Sequence, residues 1–415
     1  MADRELGGRR IDRGTQRADC PVRRGPDGVW QVHGYAAVHA VLRSTDTVQA
    51  GLGIETVAKL PASIRRPVLY RDGQEHREHR RQTARYFTPR RVDEQYRGIM
   101  VRIAEEQLAG LRAAGRAELG ELSFQLAIGV AAAVIGLTES RPGIRRRLES
   151  FFPEKFGKPG LTSFSGLYWL IRHNVNWLRV YLGDVRPAVR AHRERGRDDL
   201  ISHLLAEGCS AGEILGECLT FAAAGMITTR EFVNVAAWHL FSNEALRERY
   251  RAADEPGRLA VLHEILRLEP VVGRLRRRTT AALSLPGAAG AVAAETGAAE
   301  TGAAGTVTVP AGALVDLFVD SANVDPRVVG DRPERICPGR AMADHAGAAG
   351  LSFGDGAHKC PGASIAILET DVFLSRLFAL PGLRMLTPPR ISFKHDIGGY
   401  ELRGLTVALD AGPGA

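Results

Sequence analysis

Residues 353 to 362 read FGDGAHKCPG, and this stretch places one cysteine, Cys360, in a loop with three glycines. Glycine allows backbone dihedral angles that other residues avoid, and it lets the chain approach a bulky flat group closely. A free cysteine that only fills a core needs no such surroundings. Residues 361 to about 380 are predicted to be helical, so backbone N–H groups at a helix start would stabilise a thiolate here. We therefore interpret Cys360 as a metal-bound thiolate.

Zinc and haem iron both accept a thiolate ligand. A zinc site would have to draw on four residues whose spacing does not match the paired short ligand turns of structural zinc sites, namely Cys337, His345, His358 and Cys360. Haem iron needs one axial cysteine and a loop that tolerates a flat macrocycle. The sequence favours haem, and zinc remains the weaker alternative.

The composition indicates a globular protein without an export or membrane signal. The chain has 415 residues, of which 45% are hydrophobic, and its longest apolar run, 126–137, is shorter than the about 20 residues that span a bilayer. Five cysteines at irregular spacing argue against a disulfide framework. The charged N-terminus does not look like a signal peptide. We expect a cytoplasmic protein that does not bind membranes.

The net charge of +8 does not indicate a nucleic-acid-binding surface. Five of the 55 basic residues are lysine, and the arginines are spread along the chain without an accompanying nucleic-acid motif. A modest attraction to acidic partners is all that the charge supports.

The pattern along the chain predicts one large, mainly α domain with a minor β-sheet region. Residues 1–15 are predicted to form a flexible tail and residues 16–412 the domain. A capping box at 210–213 should begin a long apolar helix through the centre of the molecule. The Ala/Gly-rich residues 287–305 lie between two alternating segments, ALSLP and TVTVP, and are predicted to be an insertion in a hairpin.

The FGDGAHKCPG loop resembles the haem-binding loop of the cytochromes P450, whose bacterial members carry Phe-Gly-x-Gly-x-His-x-Cys-x-Gly. Each fixed position is matched, including Phe353, Gly354 and Gly362 beside the cysteine. The resemblance implies the cytochrome P450 fold, with haem b bound through Cys360 as axial ligand. The arginine-rich and Ala/Gly-rich composition suggests a soluble, actinobacterial-type member.

A second motif, Glu264-Ile-Leu-Arg267, resembles the Glu-x-x-Arg of the same family. Side chains three residues apart share one helix face and can pair. Taken alone, such a pair is most often a solvated surface contact of little energetic weight. The resemblance implies a buried structural cluster beneath the haem, completed by Arg335 of the segment Pro-Glu-Arg-Ile at 333–336.

A third motif, His76-x-x-x-Arg80, resembles the early haem-contacting helix of the family. The two side chains lie on one helix face, and charge-assisted hydrogen bonds to haem propionates are strong. The resemblance adds His358 and one of three consecutive arginines: Arg276, which we prefer, or else Arg277 or Arg278.

The predicted central helix carries the fourth motif, AGMITT at 224–229, which resembles the oxygen-activating segment Ala-Gly-x-Asp/Glu-Thr-Thr. The pair of small residues, Ala224 and Gly225, would leave room for dioxygen, and the Thr228 hydroxyl would take part in proton delivery. The usual acid is replaced by Ile227. Protons could come through Glu231, one helical turn further on, or from the substrate or ordered water. The adjacent Arg230 favours the second route slightly, because it suggests an ordinary surface pair with Glu231.

The resemblance implies a monooxygenase that hydroxylates a small organic substrate, free or carrier-tethered, in secondary metabolism such as antibiotic biosynthesis. No flavin or nicotinamide motif is present, so electrons would come from a ferredoxin and its ferredoxin reductase. Oxidative coupling or desaturation stays open, as does a non-catalytic haem-binding sensor or docking module, because Ile227 carries no proton. The pocket is predicted to include Met226, Ile227, Leu275 and Trp177.

Overall fold

The computed structural model describes residues 6–14, 21–51, 53–57, 65–151, 163–287, 301–302, 306–343, 345–394 and 397–410. Helices make up most of these residues, as predicted. They are α1 (Tyr35–Arg43), α2 (Ile54–Val57), α3 (Gly73–Thr83), α4 (Pro89–Arg91), α5 (Arg97–Ala114), α6 (Leu119–Ile135), α7 (Ile144–Phe151), α8 (Phe164–Val180), α9 (Arg186–Glu194), α10 (Leu200–Ala206), α11 (Ala211–Ser242), α12 (Glu244–Ala252), α13 (Glu255–Leu268), α14 (Val319–Ala322), α15 (Pro326–Val329) and α16 (Ala363–Leu377).

The strands form a minor component, in one five-stranded sheet and three smaller ones. They are β1 (Val22–Arg24), β2 (Trp30–Val32), β3 (Thr47–Gln49), β4 (Arg116–Glu118), β5 (Arg274–Thr279), β6 (Leu283–Pro286), β7 (Thr301–Gly302), β8 (Thr306–Val309), β9 (Leu314–Phe318), β10 (Leu383–Thr387), β11 (Arg390–Lys394), β12 (Gly399–Arg403) and β13 (Thr406–Leu409). The large sheet has the order β1-β2-β9-β5-β3, in which only β2 and β9 run parallel.

Helix α11 is the central element of the core. Its first turn carries the predicted capping box: the Glu213 N–H donates to the Ser210 hydroxyl, and the Ser210 N–H donates to the Glu213 carboxylate at 2.7 Å. Residues from both halves of α11 belong to two hydrophobic clusters, one built mainly with α5, α6, α13 and α16 and the other with α6 and α8 to α10. Burial on nearly every face explains why the helix is apolar throughout.

The prediction of a flexible N-terminal tail is wrong for residues 6–14. Ile11 is fully buried, and its N–H donates to the Glu269 carboxylate at 3.2 Å. The Arg9 guanidinium donates to two main-chain carbonyl groups, those of Leu268 and Asp320. The segment is ordered because a buried carboxylate and free carbonyl groups accept its donors, a condition that its charged composition did not indicate.

The predicted hairpin is confirmed, since β6 and β8 pair antiparallel in the register Leu283↔Val309 to Pro286↔Thr306. Most of the predicted insertion, residues 288–300 and 303–305, lies outside the described residues. Within the described parts of the chain, no helix is both long enough and apolar enough to cross a bilayer.

Candidate active site

The loop around Cys360 is held by its own main chain. The Cys360 N–H donates to the Phe353 carbonyl at 2.8 Å, and Gly354 N–H donates to the Leu351 carbonyl at 2.8 Å. Gly356 has a φ of +65°, and a Cβ there would lie 2.3 Å from the Leu42 carbonyl oxygen at the end of α1. Glycine is therefore required at this position both by conformation and by space.

The Cys360 side chain is accessible to solvent although protein surrounds it on all sides. This combination places the sulfur at the edge of an interior space. Burial raises the pKa of the Cys360 thiol, while the Gly362 N–H and the Arg80 guanidinium favour the thiolate. Since burial outweighs these two groups, the position suits a thiolate that is bound to a metal cation.

Cationic and imidazole groups collect beside the cysteine. The rings of His76 and His358 stack with centroids 4.1 Å apart, and Arg80 donates to the Lys359 carbonyl at 2.5 Å. Nδ1 of the buried His76 has no hydrogen-bond partner. Mainly because of burial, the pKa of His76 falls to about 4, so its imidazole is neutral near neutral pH. A buried unpaired nitrogen beside a guanidinium fits a ligand that carries carboxylates.

The choice of Arg276 as a propionate residue is wrong, because its guanidinium forms a bidentate pair with Asp316 at 2.6 and 2.9 Å. Arg277 points to the other face of β5, is 4% exposed and donates to the Gln49 side chain. Burial lowers the pKa of Arg277 to about 10, and the carboxylate of Asp72 acts in the opposite direction. Asp72 also accepts a hydrogen bond from His358 at 2.9 Å. Arg277 is therefore the arginine that lies with the imidazole groups.

The Glu264–Arg267 pair is buried, with two N···O distances of 2.7 and 2.8 Å, and is not a surface contact. Its third member is Arg340 at 3.2 Å from Glu264, and not Arg335. Arg335 is exposed and provides its carbonyl oxygen, which accepts a hydrogen bond from Arg340 at 2.9 Å. The loop wraps its carbonyl groups around Arg340, so a residue five positions later than predicted completes the cluster.

Asn323 connects this cluster to the cysteine loop, a role that the sequence did not predict. Its Nδ2 donates to the Arg267 carbonyl at 3.0 Å, and its Oδ1 accepts from the Leu351 N–H at 2.7 Å. Ser352 then donates to the Leu266 carbonyl at 2.8 Å. The buried pair on α13 thereby positions the residues that immediately precede Phe353. The signal that the sequence offers is a polar residue between the apolar residues Ala322 and Val324, and all three are buried in the structure.

On α11, the Thr228 hydroxyl donates to the Ala224 carbonyl at 2.5 Å. Ala224 is exposed although it lies in the middle of the central helix, and positions 224 and 228 share one helix face. A Cβ on Gly225 would instead approach Ala131 of α6, at 3.9 Å. Of the two small residues, Ala224 is the one that lies on the Thr228 face, and the assignment of space for dioxygen to this pair stays a prediction.

Glu231 is neither a surface residue nor free to act as a relay. It is fully buried, and its carboxylate accepts from the Leu402 N–H at 2.7 Å, Arg403 at 2.8 Å and Arg230 at 2.9 Å. Both carboxylate oxygens are engaged. Sequence reasoning recognised only Arg230, because the other partners lie about 170 residues further along the chain.

The predicted pocket residues separate in the structure. Met226 is fully buried in the second hydrophobic cluster, so its prediction is wrong. Leu275 is half-buried, and its Cδ1 lies 4.0 Å from where a Cβ on Gly354 would stand, beside the cysteine loop. Trp177 packs partly on the second cluster and donates to His173 at 2.6 Å, and Ile227 is half-buried. For Trp177 and Ile227 the pocket assignment stays a prediction.

Comparisons with known proteins agree with this site. The chain is 31% identical over 380 residues to the erythromycin C-12 hydroxylase of Saccharopolyspora erythraea, which covers 88% of this chain and 85% of the relative. The vitamin D(3) 25-hydroxylase of Pseudonocardia autotrophica is 27% identical over 377 residues, with coverage of 88% and 84%. A solved structure of a mutant of P450 EryK in complex with erythromycin B matches with a TM-score of 0.70 and 26% identity, over 95% of this chain and 94% of that one. No family model matches the chain.

This chain belongs to the cytochrome P450 family. Members of the family hold haem through a cysteine thiolate, and the residues around Cys360 fit that group: a thiol at the edge of an interior space, the buried Arg277, the half-buried Arg80 and an unpaired imidazole nitrogen.

Proposed function

We propose that this protein is a haem-thiolate monooxygenase that hydroxylates a bulky, largely apolar organic substrate in secondary-metabolite biosynthesis. The observation that carries the proposal is the Cys360 loop, positioned by a buried ion-pair cluster and flanked by cationic groups. The relatives described above are an erythromycin C-12 hydroxylase and a vitamin D(3) 25-hydroxylase, and these two activities support this class of substrate.

Different residues have different roles in the proposed reaction. Cys360 would be the axial ligand, and Arg277, Arg80, His76 and His358 would bind the propionates. Bound haem would supply the oxygen-activating and electron-accepting chemistry, favoured by the electron-rich thiolate. The Thr228 hydroxyl donates to the Ala224 carbonyl, so its oxygen lone pairs remain available to hold an ordered water.

Proton supply follows from two observations. Ile227 carries no acid, and both oxygens of Glu231 are engaged by main-chain and arginine donors. We infer that protons reach the site through water held at Thr228 or through a polar group of the substrate. Because Ile227 replaces the usual acid, oxidative coupling and desaturation are the second candidate reactions, since these need no oxygen transfer to carbon.

Electron supply requires a partner, since P450 relatives use redox partners. We infer a ferredoxin with its reductase in the cytoplasm. A groove of about 1030 Å³ lies on the cysteine-loop side of the molecule and includes Phe353, Asp355 and Lys359 together with Arg43 and Arg97. The groove carries both signs of charge, because Arg97 pairs with Glu255 at 2.7 Å and Arg43 lies 3.6 Å from Asp355. The exposed Lys359 is therefore the docking charge that we infer for a small acidic protein.

The test is a spin-state titration of the purified ferric protein, followed by turnover with ferredoxin, reductase and NADPH. The probes are erythromycin B, vitamin D3, and an amino acid tethered to a carrier protein. A shift toward high spin together with a hydroxylated product supports the proposal and identifies the substrate class. A shift without oxygen consumption under reducing conditions would instead indicate the non-catalytic sensor.

A further inference from the structure

The C-terminal hairpin β11–β12 is attached to the oxygen-activating helix through one buried carboxylate. Glu231 lies three residues after Thr228 on α11, and it accepts the Leu402 N–H of β12 at 2.7 Å. The Arg403 side chain adds a second contact to the same carboxylate at 2.8 Å. Glu231 is fully buried, so the contact is made away from solvent, where charge-assisted hydrogen bonds are strongest.

The attachment is reinforced by neighbouring charges on both elements. Glu401 of β12 accepts from Arg403 at 3.2 Å and from Lys394 of β11 at 3.1 Å, and it lies 4.0 Å from Arg230 of α11. The cluster therefore contains two acids and three bases. Two of its pairs, Glu231–Arg403 and Glu401–Arg230, join α11 to the hairpin, and the pair Glu401–Lys394 joins the two hairpin strands. Removing one member would leave the others partly unpaired in a buried site.

The other end of the hairpin touches the strand that faces the cysteine loop. Gly399 forms a β-bridge with Val272, and the Gly398 carbonyl accepts from the N–H groups of Gly273 and Arg274 at 2.9 and 3.1 Å. The two main chains are in close contact here, because a Cβ on Gly398 would lie 2.5 Å from the Arg274 carbonyl oxygen. Leu275, the next residue of β5, is the side chain beside Gly354.

We propose that Glu231 is a positioning residue that determines substrate specificity by setting the hairpin β11–β12, and through it residues 271–275, against α11. We call residues 271–275 the wall and predict that they line the substrate pocket, because the Leu275 side chain lies beside Gly354 of the cysteine loop. This deepens the proposed monooxygenase function and rests on it. Glu231 acts through the hairpin and transfers no proton. Substrates large enough to reach the wall depend on it, and ligands confined to the iron do not.

The first test is hydrogen exchange of residues 390–403 in the haem-bound protein. Glu231→Ala should accelerate exchange across the hairpin, with the largest change at Leu402. Glu231→Gln should lie between wild type and Glu231→Ala, because its amide oxygen still accepts the Leu402 N–H. Arg403→Ala removes the contact between Arg403 and Glu231 at a partly exposed position, so it should accelerate hairpin exchange less than Glu231→Ala does. This variant replaces Glu231→Ala in the test if Glu231→Ala does not fold.

The second test compares two haem-iron ligands by optical titration. Imidazole should bind all variants with equal affinity, whereas clotrimazole, which is large enough to reach the wall, should bind Glu231→Ala about tenfold more weakly, as expected when a charged buried hydrogen bond is lost. The matched control is Asp371→Asn. Asp371 is an equally buried carboxylate on α16. Its hydrogen-bond partners among the described residues are Arg258, at 2.8 and 2.9 Å, and Tyr250, and neither belongs to the hairpin. This variant should lose stability without changing the ratio of the two azole affinities.

Unchanged hairpin exchange in both Glu231 variants would overturn the proposal. So would increased peroxide release with unchanged exchange and azole ratio, since this is the result expected of a proton relay. Failure of the proposed monooxygenase function has a different signature: the wild-type protein would bind haem and both azoles but would form no product.

Discussion

The two adjacent arginines of β5 provide a quantitative test of the haem-binding site. Arg277 is buried without a carboxylate in hydrogen-bond contact among the described side chains, and burial lowers its pKa from 12.5 to about 10. That difference corresponds to about 3 kcal/mol by which the charged form destabilises the fold. Replacing it by methionine removes this cost and gives up two hydrogen bonds, to the Gln49 side chain and to the Arg276 carbonyl, worth about 1 kcal/mol each. Arg277→Met should therefore stabilise the apoprotein by about 1 kcal/mol.

The same substitution should weaken haem binding. A hydrogen bond between charged groups contributes about 1.5–3 kcal/mol, so haem should leave Arg277→Met about ten- to a hundredfold faster than wild type. Arg276 is 41% exposed and paired with Asp316, so Arg276→Met should cost at most about 1 kcal/mol and leave haem release unchanged. The assays are urea denaturation of apoprotein and haem transfer to apomyoglobin. Faster haem loss from Arg276→Met than from Arg277→Met would refute the reasoning.

Three further predictions concern Arg340, Glu369 and Ile227. Arg340→Ala should destabilise the protein by about 3 kcal/mol in urea denaturation, because it removes a partner of the buried Glu264. Arg335→Ala should destabilise it by less than about 1 kcal/mol. The reverse order would contradict the cluster described above. Glu369 of α16 is buried with Oε1 unpaired, and burial raises its pKa to about 8. The folded state keeps a proton that the unfolded state releases above the ordinary pKa of about 4.5, so the free energy of unfolding falls as the pH rises from about 4.5 to about 8. In urea titrations, Glu369→Gln should stabilise the protein by about 3–5 kcal/mol at about pH 8 but little at about pH 4.5. Equal effects at both pH values would argue against a buried neutral carboxyl group. Ile227→Asp places an acid before Thr228 and should lower the peroxide-to-product ratio in turnover, and an unchanged ratio would show that proton supply does not limit coupling.

The sequence predicted the local motifs well and their tertiary partners poorly. The cysteine loop, the capping box of α11 and the Glu264–Arg267 pair depend on neighbours within a few residues, and all three have the predicted geometry. Arg276 and Arg277 could not be separated by sequence, because the face that each occupies depends on how β5 pairs with β3 and β9. The completion of the Glu264 cluster by Arg340 depends on the path of an irregular loop.

Long-range partners account for the remaining errors. Glu231 looked like half of a surface pair because only Arg230 is near it in sequence, while the hairpin that buries it comes from the other end of the chain. The N-terminal segment looked mobile because its arginines are charged, yet carbonyl groups and Glu269 of distant elements accept its donors. The place of Met226 in a motif predicts a pocket residue, whereas in the structure its side chain is fully buried in the second hydrophobic cluster.

The most direct test of the central claim is the optical spectrum of the reduced, carbon monoxide-bound protein, for wild type and for Cys360→His. Wild type should show the strongly red-shifted Soret band of thiolate-ligated haem. Cys360→His should retain haem through the propionate residues but show the spectrum of histidine ligation. A wild-type spectrum without the shift, or an identical spectrum in Cys360→His, would contradict the assignment of Cys360 as the axial ligand.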